Sequence, residues 1–165
     1  MSARTMCRFL FIGYGNDLRC DDGAGQHAAR IIEKWGMAGM RVIAAHQLLP
    51  ELSEEIAWAR CVIFADSYAA NPGDGCRVAT VVPQKPAAGM THSMSPQALL
   101  WYAQDMYDRK PAAWLIAIPS VAFGHGEDLS STAQAGVREA VARVREIIES
   151  EGVTYGSTKT CTKSD

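Results

Sequence analysis

The residues best suited to chemistry are two carboxylates and one imidazole, each predicted to lie where a loop meets a strand or a helix. Asp22 lies in a glycine-rich stretch, Asp66 directly follows an apolar run, and His92 precedes a predicted helix. Carboxylate oxygens and neutral imidazole nitrogens are ligands for divalent transition metals. Three such residues would leave coordination positions open for groups from another molecule. The pattern therefore predicts a metal site that a substrate completes.

The glycine-rich stretch Gly13–Gly25 has two interpretations. A dinucleotide site needs a third glycine where Leu18 stands, and phosphates would be repelled by Asp21 and Asp22. We therefore expect no nucleotide. In the second interpretation, one aspartate points into a crevice as a metal ligand while the other caps the following helix. Alternatively, both aspartates only favour the positive end of the helix dipole, which is the commoner role for such a pair.

Asp66 and His92 also have simpler alternatives. Asp66 could cap a turn together with Ser67. A histidine just before a helix is kept neutral by the helix dipole, so His92 suits a metal ligand or a base. Alternatively, His92 is an exposed surface histidine. We expect the other histidines, His27, His46 and His125, to be exposed on the surface, and only His125 has a loop setting that could bring it near a site.

Several other kinds of site are excluded by their missing motifs. The sequence has no HExxH helix for a self-contained zinc peptidase and no GxSxG elbow for a serine hydrolase. Its cysteines are odd in number and form no CxxC pair, so neither a disulfide framework nor a zinc ribbon is predicted. We expect reduced thiols at Cys7, Cys20, Cys61, Cys76 and Cys161.

Length and composition predict one soluble domain. The chain has 165 residues, of which 48% are hydrophobic and 21% charged, and its formal net charge is -2. This charge gives no basic field for nucleic acid or an anionic membrane. The longest apolar runs are far shorter than the roughly 20 residues that span a bilayer, and no signal peptide is recognisable. We expect a cytoplasmic monomer with no nucleic-acid or membrane partner.

Hydrophobic periodicity predicts alternating strands and helices that position these residues. Such alternation indicates βαβ units, so we expect a three-layer α/β/α domain with a mostly parallel, twisted sheet of about five strands. The domain should cover residues 1–152, and residues 153–165 should form a polar, disordered tail. The predicted strands cover 7–12, 41–45, 61–65, 77–82 and 114–118, and the predicted helices cover 24–35, 50–58, 96–108 and 131–152.

The chain resembles the hydrogenase maturation endopeptidases, which process the C-terminus of the large subunit of nickel-iron hydrogenases. The resemblance covers nearly the whole chain. Its strongest parts are Ile12–Gly25 after the first strand, Asp66 at the end of Val62–Ala65, and the His92 loop leading into Ser95–Leu100. The segment Gly124–Ser130 before the last helix is similar to the family's GxxLS stretch.

The resemblance implies a function and a set of site residues. The family makes one cut that removes a C-terminal extension after nickel has been inserted, which here implies an aspartic-type hydrolase. Asp22, Asp66 and His92 would be both the nickel ligands and the catalytic residues, the nickel arriving with the large-subunit precursor. Asp66 or Asp22 could serve as general base when not ligated. Asp21 would then belong to the loop and helix cap.

Two other function classes stay open at this point. A non-catalytic nickel-binding or chaperone-like protein could recognise the same precursor without cutting it. A general peptidase is also compatible, because fold alone does not determine function. Specificity is expected in the loops 68–74 and 83–90, a placement that rests on their position and their glycine and proline content.

Overall fold

The structure is a computed structural model that describes residues 7–87 and 94–156, with side chains up to residue 152. The strands are β1 (Cys7–Tyr14), β2 (Met40–Ala45), β3 (Ala59–Ala69), β4 (Arg77–Thr80) and β5 (Ala112–Ser120). The helices are α1 (Ala24–Glu33), α2 (Leu52–Ala57), α3 (Pro96–Tyr107) and α4 (Ser131–Gly156), and a short 3-10 helix at Cys20–Gly23 precedes α1.

The five strands form one sheet in the order β2-β1-β3-β5-β4, in which only the edge strand β4 is antiparallel to its neighbour. Because β2 and β3 lie on opposite sides of β1, the chain reverses its direction across the sheet between β1 and β3. Ligands of such sheets bind at the carboxyl ends of the strands on either side of that reversal. The predicted α/β/α fold is confirmed, and its topology defines one preferred crevice.

Two apolar layers cover the two faces of the sheet. On one face, α1 and α4 pack over side chains such as Phe11, Ile63 and Ile116. On the other face, α2 and α3 cover alternate residues of the same strands, including Ile12 and Phe64. The central strands are apolar at nearly every position because both of their faces are buried.

Two glycines allow the start of α1 to pack directly against the sheet. A Cβ on Gly13 of β1 would collide with the Gly25 carbonyl oxygen. In turn, a Cβ on Gly25 would collide with the Ala65 carbonyl oxygen and would stand 2.5 Å from the Tyr14 carbonyl oxygen. The family resemblance suggests that glycines of this loop let its backbone approach an incoming peptide, but Gly13 and Gly25 serve the contact between the helix and the sheet.

Several predicted boundaries and faces are wrong. β3 does not end at Asp66 but continues to Ala69, because its last residues pair with the long strand β5. α4 continues to Gly156 rather than ending near Gly152. The helical period of apolar residues predicts Ile31 on the buried face of α1, but this side chain is 39% exposed. Within the described part of the chain, no helix is long and apolar enough to cross a membrane.

Candidate functional site

Asp66 lies at the crevice between β1 and β3, side by side with Tyr14. The parallel pairing of these strands runs up to Gly13 opposite Ala65, so the next residues, Tyr14 and Asp66, project from the same face of the sheet. The Tyr14 hydroxyl donates a hydrogen bond to the Asp66 carboxylate. The Ser67 amide donates to the same carboxylate at 2.8 Å. Asp66 is thus held by its neighbours, and the turn cap predicted as an alternative contributes one of these bonds.

The environment of Asp66 favours its neutral form. Burial raises the pKa of the Asp66 carboxyl to about 6, and the negative charge of Asp22 raises it further, against the hydrogen bonds from Ser67 and Tyr14. Burial, followed by the Asp66 charge, also raises the pKa of the Tyr14 phenol. A carboxyl group that titrates near neutral pH suits a general base or a cation ligand.

Asp22 approaches Asp66 from the glycine-rich loop. One oxygen of its carboxylate accepts from the Asn16 amide at 3.0 Å, and the other accepts from the Ser67 hydroxyl at 3.3 Å. Its side chain caps neither the 3-10 helix nor α1. Asp22 is therefore oriented toward the end of β3, near enough for its charge to act on the Asp66 carboxyl.

Asp21 has a structural role. Its side chain is fully buried, and its carboxylate accepts from the amides of Val121, Ala122 and Ser130 at 2.7–2.9 Å and from the Ser130 hydroxyl at 2.6 Å. Burial alone would raise the pKa of the Asp21 carboxyl, but the hydrogen bonds from Ser130, Val121 and Ala122 hold the pKa below its usual value. Asp21 therefore fastens the loop to the end of β5 and to the start of α4.

Asp21 belongs to the loop as predicted, but the prediction that it caps the following helix is wrong. Asp21 does not cap the helix that follows it in sequence. It instead holds Ser130, whose hydroxyl accepts from the Ala133 amide at 3.1 Å at the start of α4. The capped helix is thus more than a hundred residues away, which spacing along the chain cannot indicate.

Further contacts fix the shape of the glycine-rich loop. The Asn16 side-chain oxygen accepts from the Leu18 amide at 2.9 Å, as expected for a side chain that shapes a turn. Gly15 has a φ of 133°, a conformation that favours glycine. The Gln26 side chain donates to the Gly15 carbonyl oxygen at 2.6 Å. The loop is therefore tied at both ends before any ligand binds.

His92 lies outside the described residues, so its place in the site stays a prediction. The described chain resumes at Met94, whose amide donates to the Leu48 carbonyl oxygen at 3.1 Å. Ser95 caps α3, its hydroxyl accepting from the Ala98 amide at 3.1 Å. Of the other histidines, His46 and His125 are exposed and His27 is partly buried. Among the described residues, no three histidine, cysteine or acidic side chains are placed to hold a metal.

Sequence patterns do not point to Tyr14 or Gln26, and they indicate Ser130 only as one of two possible caps of the last helix, a role that the structure confirms. Tyr14 could have been found from strand pairing, because Gly13 pairs with Ala65 and the next residues along the two strands are Tyr14 and Asp66. Gln26 was missed because it is a polar residue at a buried position of α1, and the helical period identifies buried positions only by their apolar side chains. The contact of Ser130 with Asp21 has no local signal.

No protein-family model and no curated protein matches this sequence. Solved structures do share its architecture. The hydrogenase maturating endopeptidase HybD from E. coli has a TM-score of 0.69 at 17% identity, over 88% of this chain and 94% of that one. The NiFe hydrogenase maturation protease HycI from Thermococcus kodakarensis KOD1 has a TM-score of 0.66 at 19% identity, over 86% and 92%. This chain has the fold of those hydrogenase maturation proteases. At such identities the likeness establishes the fold, and function must be argued from the site.

We expect Asp21→Asn to destabilise the fold by about 2 to 4 kcal/mol at pH 7, because an amide cannot accept from all four donors. A carboxyl whose folded-state pKa is lowered stabilises the protein above its unfolded-state pKa, and that contribution is lost as the pH falls. The difference in the free energy of unfolding between Asp21→Asn and wild type should therefore shrink below about pH 4. Urea unfolding at pH 7 and pH 3 measures both effects. Asp74→Asn is the control, since Asp74 accepts one exposed bond; equal effects of the two variants would contradict the role of Asp21.

Asp66→Asn should have the opposite effect at neutral pH. Because the folded-state pKa of Asp66 is raised, ionisation of this group destabilises the fold as the pH rises through about 6. Removing the charge should therefore stabilise the protein by up to about 3 kcal/mol at pH 7.5 and change little at pH 4. Thermal unfolding at the two pH values gives the comparison. A loss of stability at pH 7.5 would show that Asp66 is not under electrostatic strain.

Proposed function

We propose that this protein is an endopeptidase that removes a C-terminal extension from the nickel-loaded large-subunit precursor of a nickel-iron hydrogenase. The observation that carries the proposal is the meeting of Asp22 and Asp66 at the crevice between β1 and β3. The two residues come from elements more than forty positions apart, and each is held by its own hydrogen bonds. The fold shared with HybD and HycI supports the same reading.

The nickel of the precursor is the cation that this site would recognise. Asp22 and Asp66 offer carboxylate oxygens, and His92 would add an imidazole nitrogen from the loop before α3. An oxygen and nitrogen set of this kind suits a divalent transition metal that other ligands already hold in part. Nickel would supply recognition and a positive charge near the scissile carbonyl.

The residues of the chain would accept the proton from the attacking water and hold the two carboxylates in position. Asp66, with a pKa of about 6, is ionised at cytoplasmic pH and can accept a proton from an attacking water when it is not ligated. The Tyr14 hydroxyl orients the carboxylate, and burial, with a smaller contribution from the charge of Asp22, keeps its pKa raised. Asp21 and the glycine-rich loop hold Asp22 in place. The protein would act as a cytoplasmic monomer, with the precursor as its macromolecular partner.

His92→Ala, Asp22→Asn and Asp66→Asn should each abolish processing of a nickel-loaded precursor, because each removes a donor to the metal. The measurement is the mass of the precursor's C-terminus after incubation with purified protein. His46→Ala is the matched control for His92, since His46 is exposed after β2, and it should process at the wild-type rate. The nickel-free precursor should stay intact with every variant.

The same assay separates this proposal from its alternatives. Binding of the loaded precursor without any loss of mass, across several types of hydrogenase, would identify a non-catalytic nickel-binding protein instead. Cleavage that does not depend on nickel would indicate a general peptidase. Normal processing by His92→Ala would remove His92 from the site while leaving the activity itself in place.

Processing should also depend on the protonation of Asp66. As the pH falls through about 6, the carboxyl becomes neutral and can neither bind a cation well nor accept a proton, so kcat/KM should fall about tenfold per pH unit below that midpoint. Tyr14→Phe removes a hydrogen bond that lowers this pKa, so the midpoint should move to higher pH. Initial rates between pH 5 and 8 test both statements. A profile that is flat over this range would exclude Asp66 as the titrating group.

A further inference from the structure

A second charged position lies on the same face of the sheet as Asp66. Arg77 is the first residue of the edge strand β4, and it is exposed. Its guanidinium carbon stands 4.1 Å from the centre of the Tyr68 ring, which itself belongs to the end of β3. Among the ion pairs formed between described residues, none includes Arg77. Its charge is thus offered to solvent.

Strand pairing places Arg77 in line with Asp66. Ala117 of β5 pairs with Asp66 on one side and with Arg77 on the other. Residues paired in this way project from the same face, and two strand spacings separate the Cα atoms of Asp66 and Arg77 by about 9 to 10 Å. Between them, Ala117 contributes only a methyl group. The row therefore carries a carboxylate at one end and a guanidinium at the other.

The guanidinium is held in position by the ring beneath it. Tyr68 follows Asp66 by two residues on β3, so it projects from the same face. Its hydroxyl donates to the Gly75 carbonyl oxygen at 2.8 Å, which fixes the ring against the loop that leads into β4. A guanidinium stacked on an aromatic face keeps the N–H groups along its edge free for hydrogen bonding. Arg77 is therefore ordered without being neutralised.

We propose that Arg77, stacked on Tyr68, forms a subsite for a carboxylate of the peptide that is cleaved at Asp66. This inference rests on the proposed function. A planar guanidinium binds a carboxylate through two parallel hydrogen bonds, and this geometry fixes direction as well as affinity. Asp22 and Asp66 attract the nickel and repel an anionic segment of the peptide, whereas Arg77 attracts such a segment. The peptide would therefore lie across Ala117 in one orientation, with the metal at β3 and its carboxylate over β4.

The first test is a kinetic comparison of Arg77→Gln with wild type on the nickel-loaded precursor. We expect KM to rise about tenfold, the usual scale for one charge-assisted contact, with kcat unchanged within about twofold. Arg77→Lys should recover only part of the affinity, because an ammonium cannot form the paired contact. The matched control is Arg109→Gln, since Arg109 also stacks on an aromatic ring, that of Trp58, directly before β3 begins. An unchanged KM in Arg77→Gln, or an equal rise in Arg109→Gln, would overturn the proposal.

The carboxylate has two possible sources in the precursor. If it belongs to an acidic side chain near the cut, replacing that side chain by its amide should raise KM in wild type and have no effect in Arg77→Gln. If it is the C-terminal carboxylate of the extension, adding a few residues to the precursor's C-terminus should raise KM in wild type and have no effect in Arg77→Gln. A direct contact would be contradicted if, for every acidic group tested, the change in the precursor raised KM equally in wild type and in Arg77→Gln.

A binding experiment keeps this subsite testable if no precursor is ever cleaved. A short peptide carrying one aspartate and its asparagine counterpart would be titrated into the protein, with the backbone amide signals of β4 and β5 followed by NMR in both wild type and variant. We expect at least fivefold tighter binding of the aspartate peptide to wild type and no such difference in Arg77→Gln. Equal binding of both peptides by wild type would refute the subsite, whereas failed cleavage with this preference intact would count against the proposed function alone.

Discussion

The buried carboxylate of Asp21 is the interaction on which the arrangement of the site depends. Its four hydrogen bonds join the 3-10 helix to the end of β5 and to the start of α4. Asp22 is the next residue, so its backbone is fixed by a neighbour that takes no part in chemistry. The Asp22 side chain needs only two further contacts, from Asn16 and Ser67, to face the end of β3. A pair of adjacent aspartates thus divides into an anchor and a reactive group.

The same chemical group is stabilised at one position and strained at the other. Asp21 is fully buried but accepts enough hydrogen bonds to keep its pKa low. Asp66 has fewer donors, and burial, with a smaller contribution from the charge of Asp22, raises its pKa to about 6. The number of hydrogen bonds that oppose the effect of burial separates the two outcomes. This contrast is typical of an active site set on a stable scaffold, where strain is confined to the groups that react.

Sequence patterns predicted the secondary-structure elements more completely than the contacts between those elements. Apolar runs and periodicity predicted all five strands and four helices, because burial on both faces leaves a clear signal in β1, β3 and β5. The pairing of β3 with β5 beyond Asp66 was not predictable, since the extension Ser67–Ala69 carries no apolar run. Asp22 and Asp66 were found from their positions after glycine-rich and apolar segments. Tyr14 and Ser130 act through contacts that depend on the assembled sheet, so no local pattern reveals them.

The strain at Asp66 gives the site a physical basis for distinguishing a loaded from an unloaded substrate. The ionised form of Asp66 is destabilised chiefly by burial and to a smaller degree by repulsion from Asp22, and a divalent cation bound at the site would offset both. On the proposed function, a nickel-loaded precursor brings this cation, and the relief adds to its binding free energy. A precursor without nickel brings no charge and leaves the repulsion in place. Discrimination would then arise from the free protein's own electrostatics, without any need for the enzyme to hold a metal of its own.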